Sequence, residues 1–444
     1  MSTDFLRLSS LSTAGVKEDA HGYLIHATAT TETRLCPSCH SASIRKYGAR
    51  EQVYNDCPIH GKHVSILVQR QRYRCNDCKK LWHEEINDLS GQRRVTKRLK
   101  EYIEKHSLKR TFIDVAEETG IDEKTIRNIF HDYVSKLAEE IKFEAPKWMG
   151  IDEIHIISKP RVVITNIEMN TAVEMLPNRN KASILNYFNS IENPQTIHYV
   201  AMDMWRPYRD AVLEKIPHAK VIVDKFHVVR MVNDAMELVR KAVRKDLSNK
   251  ERRTLMHDRF VLLKRLHDLT AEEHLKFSSW VENFPLLGEA HASKEDFYAI
   301  WELTNRDEAE ATYDRWVKNL STELSPYFSD LIRATSNWRN EIFNYFDHPI
   351  TNGYTERLNN LIRVMNRVER GYAFDALRAK ILFTEGVQKH RKNSSSRSRR
   401  RNQAVTAVTI SNVTADLQPD KEISFKNYGA DIETLVRWIE EGRL

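Results

Sequence analysis

At 444 residues and 41% hydrophobic content, the chain is longer than one hydrophobic core serves, so roughly two to four domains are expected and a disordered chain is excluded. The formal net charge of +7 is unevenly placed, with Arg93, Arg94, Lys97, Arg98 and Lys100 in one basic block and Arg391 to Arg401 in another, which points to a polyanionic partner. Five cysteines are too few for a secreted disulfide framework, and there is neither a charged-then-apolar leader nor an apolar run near 18 residues, so the expectation is a soluble cytoplasmic protein.

Residues 1–33 form an N-terminal segment without a motif. Residues 34–88 read as a metal module. Cys36-Pro37-Ser38-Cys39 and Cys75-Asn76-Asp77-Cys78 each set two thiolates on a tight knuckle, and two knuckles supply the four soft ligands of a closed, structural Zn²⁺ site of the ribbon type. Between them Val64, Ile66 and Val68 alternate ahead of Arg70, Arg72 and Arg74, which predicts a strand running into the second knuckle with a DNA-facing arginine row. Cys57, His60 and His63 are a second candidate ligand group that lacks a fourth member.

Residues 89–145 read as a DNA-binding helix-turn-helix. Phe112, Val115 and Ala116 share one helical face, Gly120 sits at the turn, and Ile126 and Ile129 mark the second helix, whose Thr125, Arg127, Asn128 and His131 are the expected groove-facing side chains. The basic run just upstream, beside the metal module, favours DNA over an ordinary helical hairpin.

After Pro146 the pattern turns to strands: residues 148–157, 161–168 and 172–176, a helix over 180–192, a strand ending at Asp203, a short helix from Pro207, and a strand over Val221 to Val223 closing at Asp224. That succession is the ribonuclease H-like order, and it occupies residues 146–229. Asp152 lies inside an apolar strand and Asp203 ends another, positions costly for a carboxylate unless it is paired or bound to a cation. Two Mg²⁺ ions held by three carboxylates would provide that cation, and Glu356 supplies the third acid. It opens a helix on which Tyr354, Leu358, Leu361, Ile362 and Met365 form the expected apolar stripe, leaving Glu356, Asn359, Asn360 and Arg363 on the other face. Asp203 and Asp224 both end short strands, and either can be the second aspartate. Topology favours Asp203, and the stretch from Asp203 through Pro217 to His227 also resembles the Mutator-like arrangement, which implies Asp224 and His227 as an accessory pair.

Residues 230–340 carry only helical periodicity, with Trp280, Trp301 and Trp316 in the pattern, and read as an all-helical insertion before the second catalytic part at 341–390. These tryptophans and Trp338 are either core or platforms for unpaired bases. Residues 391–444 form a basic linker and a tail with a short helix over 431–441. The fold class is therefore multidomain α+β: zinc ribbon, helix-turn-helix, and a ribonuclease H-like α/β catalytic domain interrupted by helices.

The stretches Gly150-Ile151-Asp152-Glu153, Ala201-Met202-Asp203-Met204, Asp224-Lys225-Phe226-His227 and Thr351 to Arg357 resemble DDE transposases of the ISL-three insertion-sequence type, over residues 34–386. The resemblance implies Mg²⁺-dependent strand cleavage and transfer by Asp152, Asp203 and Glu356 without ATP. It also implies binding to double-stranded terminal inverted repeats and target DNA at the nucleoid. Because two ends must be cut together, a homo-oligomer, at least a dimer on DNA, is expected. A transcriptional regulator that kept the fold without the chemistry is the alternative.

Overall fold

The computed structural model describes residues 6–20, 22–30, 34–369 and 371–388. The basic stretch 391–401 and the helix expected over 431–441 lie outside the described residues.

The N-terminal sheet is larger than the ribbon expected. Strands β1 (Leu11–Glu18) and β2 (Gly22–Ala29) pair antiparallel, and β2 runs parallel to β4 (Lys62–Cys75), which forms a long hairpin with β3 (Ile44–Ile59). The short β5 (Leu81–His83) extends the knuckle end of β4. Val64, Ile66 and Val68 alternate into the core as expected and meet Leu6, Leu11 and Ile25 from the N-terminal segment. Those N-terminal residues cover the apolar face that a two-stranded ribbon would leave wet.

Thr96 caps α1 (Lys97–Ser107), and its hydroxyl also donates to the buried Asp56 carboxylate, which Arg98 grips from the same helix. That ties the ribbon to the helices. Then follow α2 (Phe112–Thr119), capped by Thr111, and α3 (Glu123–Glu140), capped by Asp122. Gly120 between them has φ +68°, the left-handed conformation a helix C-terminus favours and a side chain resists. Arg127, Asn128 and His131 stand exposed on α3, with Thr125 half-buried.

The second sheet has the order β10-β9-β6-β7-β8. In chain order its elements are β6 (Trp148–Ile156), β7 (Lys159–Asn166), β8 (Thr171–Leu176), α4 (Lys181–Ser190), β9 (Tyr199–Met202), α5 (Arg206–Lys215) and β10 (Lys220–Val223). β6, β7 and β8 are antiparallel neighbours, while β9 and β10 run parallel to β6. This is the expected topology.

Residues from Lys225 onward are helical: α6 (Lys225–Val243), α7 (Asn249–His257), α8 (Arg259–Leu263), α9 (Ala271–Asn283), α10 (Pro285–Ile300), α11 (Arg306–Asn319), α12 (Ser325–Asn337) and α13 (Arg339–Asp347). Trp280, Trp316 and Trp338 are buried in the core of this bundle, and Trp301 packs against it face to face with Phe346. All four act as core residues, so none offers a free face to a base.

The chain returns to the sheet through α14 (Gly353–Val368) and α15 (Phe374–Ile381). The expected stripe on α14 needs correction. Leu361 is exposed, together with Val364 and Val368, and the seam facing the sheet runs through Thr355, Leu358, Asn359 and Ile362. Two of those four are polar, which hydropathy reads as solvent-facing.

The helix-turn-helix also shares one core with the back of the catalytic sheet, where Leu99, Phe112, Ile129 and Phe130 pack in one cluster with Ile154, Ile156, Tyr354 and Leu358. At its centre the Lys380 ammonium donates to the Ser107 and Arg110 carbonyls at 2.5 and 2.7 Å, with the rings of Phe112 and Tyr372 at 4.4 and 4.6 Å. Burial pushes this amine down to about 8. A buried cation so held helps fix the recognition helices on the catalytic domain.

Candidate active site

Strand register builds the site. Ile151 pairs with Met202 on β9, and Met202 pairs with Val223 on β10, so the next residue along each strand is an acid: Asp152, Asp203 and Asp224. The Asp224 amide donates to the Met202 carbonyl at 3.0 Å, which holds those two strand ends level. Three carboxylates thus leave neighbouring parallel strands at one height.

Glu356 arrives in the first turn of α14, and three polar contacts hold that turn against the sheet. Asn352 Nδ2 donates to the Ile151 carbonyl at 3.2 Å, the Thr355 and Thr165 hydroxyls meet at 2.6 Å, and Asn359 Nδ2 donates to Asp152 Oδ2 at 2.8 Å. Gly150 makes the approach possible, since a Cβ there would lie 2.4 Å from Asn352 Oδ1 and 2.6 Å from Thr355 Oγ1. Asn352 and Thr355 are functional residues that apolar periodicity missed, while Asn359 reaches the site from the Glu356 face on which the sequence placed it. The signal was local: a Gly and three amide or hydroxyl side chains flanking the acids.

Burial dominates the electrostatics of the cluster, with like charge behind it. Burial, and then the neighbouring Asp203, push the Asp152 carboxyl up to about 7. Burial likewise raises Asp224 to about 6. For His227 burial opposes the charge, yet Asp203, whose Oδ1 lies 3.0 Å from Nδ1, pushes the imidazole up to about 9. Asp224 is fully buried, caps α6 by accepting from the Phe226 amide, and leaves Oδ2 with no hydrogen-bond partner. Asn359 Oδ1 is orphaned in the same way. The ligand atoms of Asp224, His227 and Glu356 lie within 4.8 Å of one another, and Asp152 and Asp203 are coupled to this group by charge. The set within mutual ligand distance is therefore two carboxylates and an imidazole, without Asp152 or Asp203, and within it the orphaned, buried Asp224 Oδ2 is the hard oxygen donor that fits a divalent cation of the Mg²⁺ type.

Asp203 and His227, but not Asp224, line an open cleft of about 350 Å³ with Trp205, Tyr208 and Arg230. Trp205 is partly exposed at its mouth, under the Arg179 guanidinium at 4.5 Å, and Arg179 is fixed by Glu153 at 2.5 Å.

In the N-terminal ribbon, Cys36 Sγ lies 3.6 Å from Cys78 Sγ and Cys39 Sγ 3.5 Å from Cys75 Sγ, all four thiols within one group. The second candidate group does not assemble among the described residues. Cys57 packs beside the helix-turn-helix core, His60 Nδ1 faces Tyr23 Oη at 3.3 Å, and His63 Nε2 meets the Glu117 carbonyl at 2.9 Å. His63 is a strut between ribbon and helices, lying against the Gly120 turn. Of the arginine row, Arg70 is spent inside the sheet on Tyr54 and the Glu84 carbonyl, while Arg72 and Arg74 lie over the Tyr47 ring. No helix among the described residues is long and apolar enough to cross a membrane.

Comparison with known proteins agrees with this layout. The chain is 21% identical over 359 residues to the transposase for insertion sequence element IS1001 of Bordetella parapertussis, covering 78% of this chain and 87% of that one. It is 25% identical over 258 residues to the transposase for insertion sequence element IS1557 of two Mycobacterium tuberculosis strains, covering 52% of this chain and 58% of theirs. The zinc-finger of transposase IS204/IS1001/IS1096/IS1165 matches residues 32–78, and the helix-turn-helix domain of transposase family ISL3 matches 84–134. The ISL3 transposase DDE domain itself matches residues 149–381, the span that carries every acid of the cluster, and the chain belongs to the ISL3 transposase family.

Proposed function

We propose that this protein binds the terminal inverted repeats of an insertion sequence and carries out Mg²⁺-dependent strand cleavage and transfer at Asp152, Asp203 and Glu356. The observation that carries the reading is the strand register, which levels Asp152 with Asp203 while α14 brings Glu356 to the same end of the sheet. These three carboxylates would hold two Mg²⁺ ions, which when bound polarise the scissile phosphodiester and assist in-line attack by water or a 3′-hydroxyl. Asn359 fixes the rotamer of Asp152 by donating to Oδ2. His227 holds Asp203 toward the open cleft, and the buried Asp224 supports His227 from behind. We take Asp203 rather than Asp224 as the second catalytic aspartate because Asp203 lines the open cleft with His227, a cleft that Asp152 and Glu356 do not line, while Asp224 is the aspartate grouped with His227 and Glu356.

The exposed Arg127, Asn128 and His131 of α3, with Thr125 beside them, are the proposed base-reading residues. Arg72 and Arg74 add phosphate contacts from the ribbon, and Arg70 braces it. Work on two ends requires at least a dimer on DNA. The test is a labelled duplex carrying the element's own ends, incubated with the protein and Mg²⁺. Joined products support a transposase, nicks alone a nuclease, and binding without cleavage a regulator.

Removing the donor to Asp152 probes the support around the acids. Asn359→Ala should lower single-turnover nicking about 10- to 100-fold, the usual cost of losing a ligand-orienting group, with DNA affinity unchanged. Nicking at the wild-type rate would remove Asn359 from the site.

A further inference from the structure

The helical insertion carries a second concentration of positive charge, separate in sequence from the helix-turn-helix and the ribbon. Residues 240–253 hold seven basic side chains against two acidic ones. Of the acids with a described side chain nearby, Glu251 is consumed in the cap of α7 by Ser248, and Glu237 by Arg240. Lys241, Arg244, Lys245 and Arg252 are left to line a cleft of about 370 Å³ at the C-terminal end of α6. The Arg252 guanidinium is fixed there by the Arg244 and Lys245 carbonyls at 3.1 and 2.6 Å. Those bonds also cover carbonyls at a helix end whose dipole would otherwise repel an anion.

We propose that this cleft grips the phosphate backbone of the DNA whose strand lies at the carboxylates. The proposal rests on the transposase reading above. α6 is the ruler between the two sites: Asp224 caps its N-terminus, and the cleft lies at the other end of a 19-residue helix. Such a helix is roughly 28 Å long, so a duplex lying along it presents to the cleft a phosphate roughly eight base pairs from the cleavage point. A basic cleft of this size takes a phosphodiester without reading a base, so its contribution is affinity and direction of the DNA path.

The experiment is a salt titration of binding by the full chain to a labelled duplex carrying the ends, comparing wild type with Lys241→Gln/Lys245→Gln. Both lysines are exposed, so the fold is spared. The slope of log affinity against log salt should fall by about 1.8, the loss of two phosphate contacts. A control that removes two exposed lysines elsewhere on the insertion, Lys276→Gln/Lys318→Gln, should leave the slope unchanged. Trimming the duplex to fewer than about eight base pairs on the side lying along α6 should make wild type and variant converge. An unchanged slope in the Lys241/Lys245 variant overturns the cleft while leaving the transposase reading intact, as does an equal shift in the control. A wild-type chain that binds no DNA overturns both.

Discussion

Asp152→Asn should abolish strand cleavage, by at least about a thousandfold, while leaving duplex binding at the wild-type level. The substitution keeps the shape of the side chain and removes the charge at the acid of the cluster that sits inside a strand, is gripped by Asn359 and is electrically coupled to Asp203 and Glu356. The same change should stabilise the fold in metal-free buffer, and the pH dependence gives the sign. The folded pKa of Asp152 is raised to about 7 and that of Asp224 to about 6, so between roughly pH 4 and 7 the folded chain holds protons that the unfolded chain has released. Stability therefore falls as pH rises through that window. His227, raised to about 9, adds a loss in the same direction between roughly pH 6.5 and 9. The Asp152→Asn variant should thus melt above wild type at about pH 8 and level with it near pH 4. Magnesium should raise the melting temperature of wild type at that higher pH more than it raises that of the variant. Equal cleavage by both proteins would remove Asp152 from the chemistry, whereas duplex binding with no cleavage by either would favour a DNA-docking regulator.

How much of this was legible follows from what each feature depends on. The catalytic strands could be read because Ile151, Ile154, Val162, Ile164, Val200 and Ile222 are all buried apolar residues in short runs, and an acid among them stands out. The alignment of Asp152, Asp203 and Asp224 at one height could be anticipated only through the topology, since register is a property of pairing between strands. The α14 seam was misread because Thr355 and Asn359 are buried through hydrogen bonds to Thr165 and Asp152, partners distant in sequence. Lys380 was invisible for the same reason: a lysine in a C-terminal helix gives no sign that it will be sealed among Phe112, Phe130 and Tyr372. The β1 and β2 pair was missed because its buried residues, Leu11, Ile25 and Ala27, are few and their partner β4 lies some forty residues on. Local patterning reveals elements, and the polar contacts that dock one element on another are long-range facts.

Chelation should release one zinc ion per chain and open the ribbon while the catalytic sheet stays folded. Sulfur separations of 3.5 and 3.6 Å are far too long for disulfides, and they approach the edge of about 3.8 Å that a tetrahedron with Zn–S near 2.3 Å would have. Cys36 and Cys75 are buried while Cys39 and Cys78 face solvent, so the cluster closes the tip of the β3–β4 hairpin much as a small core would. Around it the contacts are polar rather than apolar: the Ser41 carbonyl accepts the Cys36 amide, the Ser43 carbonyl accepts the Asn76 amide, Asn76 Nδ2 donates to Ser43 Oγ at 3.1 Å, and the ribbon's apolar cluster begins well down the hairpin at Tyr54. A site that supplies the folding energy of its own loops should unfold them on removal. Treatment with a zinc chelator, or Cys75→Ser, should expose residues 34–50 and 70–83 to protease and weaken DNA binding. The melting of the catalytic sheet with α4 and α5 should be nearly unchanged, because their apolar cluster shares no residues with the ribbon's. Restoration of protease resistance by added zinc, but not by magnesium, would assign the metal. If chelated protein kept both the protease pattern and its DNA affinity, the four thiols would be a tip held by hydrogen bonds alone.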